Sequence, residues 1–129
     1  MVKRAVRTEQ APQAIGPYSQ AITVGGLLFL SGQIGLDPGT GELVPGGIGT
    51  ETERVLRNIE GVLAAEGLDM SAVARTTIYL VDLADFATVN QIYALHFEQP
   101  FPARVTVGVA HLPKAARVEI DAIAVTAQP

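Results

Sequence analysis

The chain has 129 residues, 48% of them apolar and 17% charged, with a net charge of −4 and no cysteine. Its length suits one domain with a core of its own, and its composition excludes a disordered chain. The acidic balance argues against nucleic acid as the main partner, and the missing thiols exclude a disulfide frame, a thiolate metal site and a cysteine nucleophile.

The chain reads in order as follows. No apolar run reaches membrane-spanning length, and residues 1–12 carry Lys3, Arg4, Arg7 and Glu9 with no apolar signal core. The expectation is a cytoplasmic protein with no membrane partner. Residues 2–8 read as a first strand and 9–17 as a loop punctuated by Pro12, Gly16 and Pro17. Residues 18–24 and 27–31 are β-rich runs separated by Gly25-Gly26, a hairpin signal because primed turns need positive φ. Residues 32–49 are turn-rich. Their glycines lack the Lys-Ser/Thr ending of a phosphate-binding loop, so they read as a surface loop.

Thr50 and Glu53 have capping-box spacing, which predicts a helix opening there. Val55, Leu56, Ile59, Val62 and Leu63 then form one apolar stripe, and Gly67-Leu68 supplies a helix stop. Residues 73–81 are a β-branched strand. Asp82 or Asp85 caps a second helix running to about Phe97, with Phe86, Val89, Ile92 or Tyr93, and Phe97 as its stripe. Pro100 and Pro102 end it. Residues 104–109 and 117–126 are the closing strands. The order β-β-β-α-β-α-β-β implies a single mixed six-stranded sheet with both helices on one face. Its other face has no cover within the chain. With charged residues so far below the usual ~25%, that face is expected to meet sister subunits.

Two ionisable residues stand out. Alternation puts Arg104, Thr106 and Gly108 on one face of their strand and Val105, Val107 and Val109 on the other. Glu119 shares a face with Asp121 and Ile123. A guanidinium among apolar neighbours needs a carboxylate. Either Glu119 or Asp121 supplies one, or a ligand does. His96 and His111 lack ligand-like spacing, so no metal site is expected.

Ala14-Ile15-Gly16-Pro17-Tyr18-Ser19-Gln20-Ala21, Ser31-Gly32-Gln33-Ile34, Asp85-Phe86-Ala87-Thr88-Val89-Asn90, Phe101-Pro102-Ala103-Arg104 and Leu112-Pro113-Lys114 with Val118-Glu119-Ile120 stand in order along nearly the whole chain. Together they resemble the RidA (YjgF) family. That resemblance implies an α+β, chorismate-mutase-like fold. It also implies a homotrimer with a central β-barrel and ligand clefts between subunits. The implied activity is cofactor-free, metal-free hydrolysis of 2-imino acids to 2-keto acids and ammonia. The imines come from pyridoxal-phosphate dehydratases. Arg104 would clamp the substrate carboxylate bidentately. Glu119 would hold or activate the attacking water. Tyr18 and Ser31 match cleft positions, and Asn90 matches a position at the subunit boundary. Gly32 can present its amide and Val105 its carbonyl. For Ser31 a local hydrogen bond at a strand end is an equal alternative. The chain departs from the family at Val105, Gly108 and His111, and its link over residues 97–101 is short. Those departures bear on the cleft rim and substrate range. Two rivals stand beside the deaminase: a non-catalytic module that binds small metabolites, and a ribonuclease or translation inhibitor.

Overall fold

In the computed structural model, which describes residues 2–126, the alternating runs become six strands and the two apolar stripes become helices. The strands are β1 (Arg4–Val6), β2 (Ala21–Val24), β3 (Leu27–Gln33), β4 (Val73–Leu80), β5 (Ala103–Gly108) and β6 (Val118–Val125); the helices are α1 (Ile48–Ala64) and α2 (Phe86–His96). The chain order is the expected one. The sheet order is β1-β2-β3-β6-β4-β5. Only β4 and β5 pair in parallel, because α2 carries the chain back across the sheet between them.

Both helices lie on one sheet face. Val55, Leu56, Ile59, Val62 and Leu63 of α1 are fully buried against Leu28, Ile78, Leu80, Val118 and Ile120. Each such side chain contributes roughly 1.5–3 kcal/mol on burial. From α2, Val89, Tyr93 and Phe97 join this core. Phe86 does not; it stays exposed, which corrects its place in the expected stripe. The sheet's other face keeps apolar side chains in the open, Phe29 at 41% and Val105 at 40% exposure among them.

Several local expectations change. β2 is shorter than expected and leaves Tyr18 outside any strand, while β3 runs two residues past Ser31 with a register break between Leu30 and Gln33. The capping box does not form. Gly47, at φ 89°, caps α1 three residues before Thr50, with no side-chain cap bond. Glu53 instead reaches Arg57 at 3.3 Å and His96 at 2.8 Å. The helix stop is as expected: Gly67 is left-handed, and the Leu68 N–H donates to Leu63 O at 3.0 Å. Asp82 caps a short 3-10 turn, Leu83–Asp85, by accepting the Ala84 N–H. Asp85 then begins α2 without a side-chain bond. No described helix is long and apolar enough to cross a membrane.

Candidate functional site

A cavity of about 560 Å³ opens where the loop before β2, the end of β3 and the start of β6 converge. Tyr18, Ser31, Gly32 and Glu119 line it, with Gln13, Gln20, Pro113 and Lys114. Polar side chains hold each wall. Gln20 is buried; its amide donates to the carbonyls of Thr8, Ala11 and Pro12 and accepts the Thr8 N–H. That anchoring ties Gln20 to the preceding loop, while its carbonyl still accepts the Ser31 N–H of β3 at 3.0 Å. The Tyr18 hydroxyl accepts the Ile15 N–H at 3.3 Å. The Ser31 hydroxyl donates to Ser19 O at 2.6 Å, reaching from β3 to the segment before β2.

The opposite wall hangs from α1. Glu51 is fully buried and accepts the Arg117 N–H at 2.8 Å and Arg117 Nη1 at 2.7 Å. This carboxylate fixes β6 two residues before Glu119. Asn58, also fully buried, donates to Ile34 O and Leu36 O at 3.3 and 3.0 Å. Sequence reasoning missed both residues. The signal was present: positions 51, 55, 58 and 62 share one helical face, so Glu51 and Asn58 are polar residues on a core stripe. At the rim, Lys114 and Ala115 adopt left-handed φ of 57° and 58°, and Lys114 Nζ donates to Gly41 O at 3.2 Å.

Glu119 is the acid of the cavity. Its carboxylate lies directly over Gly32, where a Cβ would overlap Oε2 and stand 2.8 Å from Cδ. A larger residue here would require the Glu119 carboxylate to move. Burial pushes the Glu119 carboxyl above its ordinary range, and the neighbouring Asp121 charge adds to this. Asp121 is not a plainly solvated acid: it accepts the Tyr79 hydroxyl at 2.8 Å.

Arg104, Val105 and Asn90 are not in this cavity. Register places Arg104 beside Thr76, on the helix-covered face, whereas Glu119 pairs with Tyr79 on the open face. The two cannot pair within one chain, and among the described residues no carboxylate is paired with Arg104. Its guanidinium lies over the rings of Phe86 and Tyr93, with Cζ 5.6 and 5.0 Å from their centroids. Nearby polar atoms are unfinished: Asn90 Oδ1 and Thr106 Oγ1 are buried without a hydrogen-bond partner. Val105 is exposed on the open face. Gly108 abuts Leu83, with a Cβ position 3.2 Å from Leu83 Cγ, so a larger residue there requires Leu83 to move. His111 is exposed, and His96 sits between Glu53 and Glu60. No group of three His, Cys, Asp or Glu side chains stands together as a metal site among the described residues.

One chain therefore carries an acid-bearing cleft and, on the other face of the sheet, a cation-bearing edge.

Residues 8–126 match the family model described as Endoribonuclease L-PSP. The chain is 55% identical to the protein DfrA of Myxococcus xanthus, over 98% of each. It is 49% identical to the 2-iminobutanoate/2-iminopropanoate deaminase of Bos taurus, over 97% of this chain and 91% of that one. The structure of YyfA, a Rid-family protein of Yersinia pestis, superposes with a TM-score of 0.94 at 46% identity, over 97% of this chain and all of that one.

Proposed function

The chain belongs to the RidA/YjgF family, and from that premise we propose that it hydrolyses short 2-imino acids, such as 2-iminobutanoate and 2-iminopropanoate, to 2-keto acids and ammonia. The observation that carries this reading is the Glu119 carboxyl, half-buried over Gly32 at the cleft wall and raised toward neutrality. A carboxyl so tuned can take a proton and return it within one turnover. The names of close relatives support the same chemistry.

In the proposed mechanism the 2-imino acid enters with its imine nitrogen protonated. Glu119 accepts a proton from water as the water oxygen bonds to the imine carbon, and the C=N π pair moves to nitrogen. The carbinolamine then collapses. Glu119 returns its proton to nitrogen, the C–N bond breaks as the hydroxyl oxygen forms the keto group, and the hydroxyl proton passes to Glu119 and on to the ammonia, which leaves as ammonium. Ser31, Gly32 and Tyr18 shape the substrate's seat. Arg104 clamps the substrate carboxylate, and Asn90 and the Val105 carbonyl flank it.

Arg104 and Glu119 lie on opposite faces of one sheet, so the clamp comes from a second copy. We propose a homotrimer whose open sheet faces meet in a central barrel, which would cover exposed Phe29 and Val105. Pyridoxal-phosphate dehydratases, which release such imines, are the proposed suppliers.

The test is imine hydrolysis with the imine generated enzymatically and semicarbazide competing for it. Rapid keto-acid release, falling roughly 10²-fold or more in Arg104→Ala, is the expected outcome. Background rates in both folded proteins would favour a metabolite-binding module. RNA cleavage that survives Arg104→Ala would favour the activity named in the family model's description.

A further inference from the structure

We infer that Phe86 and Tyr93 form an aromatic cradle that positions Arg104, so that the guanidinium fork is aimed without being neutralised. The inference rests on reading Arg104 as the carboxylate clamp.

Phe86, Asn90 and Tyr93 fall at i, i+4 and i+7 on α2 and share one face of that helix. The Arg104 Cζ stands 5.6 Å from the Phe86 centroid and 5.0 Å from that of Tyr93. Both distances lie within the range where a ring's negative face attracts a cation. The Tyr93 ring is itself fixed. Its hydroxyl shares a hydrogen bond of 2.8 Å with Thr76 Oγ1, and its ring packs 4.4 Å from that of Phe97. Thr76 is also the residue beside Arg104 in the β4–β5 register. The arrangement therefore closes on itself: the strand register sets Thr76, Thr76 sets the ring, and the ring sets the guanidinium.

The choice of rings over an acid has a physical consequence. An Asp or Glu beside Arg104 would occupy the N–H fork that a substrate carboxylate needs. Aromatic faces hold the cation through its plane and leave the N–H edges available. Phe86 makes the point most clearly. It is a large apolar ring left 40% exposed, outside the buried core, and its face carries the Arg104 guanidinium. Asn90, at the position between Phe86 and Tyr93 along the same helical face, has its Oδ1 buried without a hydrogen-bond partner.

The experiment combines binding of 2-oxobutanoate, followed by calorimetry, with steady-state imine hydrolysis. The variants are Phe86→Leu, Tyr93→Leu and Tyr93→Phe, each also made on Arg104→Lys. Phe86→Leu and Tyr93→Leu should weaken keto-acid binding and raise KM roughly 3- to 30-fold, with kcat altered less. Tyr93→Phe keeps the ring face and should retain binding within about threefold. On Arg104→Lys, the leucine substitutions should change binding less than about twofold, since a lysine lacks the stacked plane. Unchanged binding in both leucine variants would overturn the cradle. So would an equal loss on Arg104→Lys, which would mark the rings as merely structural. Because Phe86 is exposed, its variant keeps the test valid if Tyr93→Leu fails to fold. If Arg104→Lys alone binds 2-oxobutanoate like the wild type, the clamp reading fails, and the cradle with it.

Discussion

At the cleft, Glu119 is a half-buried acid between walls tied down by Gln20, Glu51 and Asn58, all of them buried. At the α2–β5 edge, Arg104 is an exposed cation resting on two rings. The difference follows from what each group needs. A carboxyl that is to exchange protons gains from a raised pKa, and burial within a single chain raises that of Glu119. A guanidinium keeps its charge in any environment and needs only aim. The first half is therefore finished by the fold of one chain. The second is aimed by that fold, and in the proposed trimer another copy would desolvate it.

The sharpest way to break the comparison is to damage one half and leave the other intact. Beside the loss expected for Arg104→Ala, Gly32→Ala attacks the acid half alone, since its new Cβ would displace the Glu119 carboxylate. Its kcat should fall roughly 10- to 100-fold with the melting temperature little changed. A fully active Gly32→Ala would show that the seat of Glu119 is not what matters.

A smaller effect sharpens the electrostatic side. Burial first, and the Asp121 charge second, raise the Glu119 carboxyl above the ordinary value of a glutamate. Its base form is therefore lost at a higher pH than for an ordinary glutamate. Asp121→Asn removes the second cause and should move the acid limb of kcat/KM to lower pH by a fraction of a unit. A limb that stays still would mean another group sets it. The sign for stability is the reverse of the usual acid. The contribution of Glu119 is fully present below its unfolded pKa and is lost as pH rises through the raised folded value. Glu119→Gln should accordingly not reduce the melting temperature at pH 7.

Much of this was legible in the sequence. The apolar stripe of α1, the Gly25-Gly26 hairpin and the Gly67 stop are local patterns with local causes, and they formed as expected. The features that misled were those where a distant partner outbid a local one. Thr50 and Glu53 had the right spacing for a cap, but Gly47 starts the helix earlier and Glu53 is engaged by His96 from α2. Residues 18–20 had strand character, but the Gln20 amide binds the preceding loop instead. For the site, alternation assigned faces within β5 and within β6. It could not relate the two, because β4 lies between them and only the register shows that Arg104 and Glu119 point apart.

That separation makes the division of the site between copies the central claim, and subunit mixing tests it most directly. Arg104→Ala and Glu119→Gln chains, each nearly inactive alone, would be refolded together in equal amounts, with mixing verified by native mass spectrometry. If each site takes Arg104 from one copy and Glu119 from another, random mixing restores about a quarter of wild-type sites. Recovery of imine hydrolysis toward that level is the predicted result. Mixed oligomers no more active than either parent would mean that both residues serve the same site from one chain, and would contradict the account.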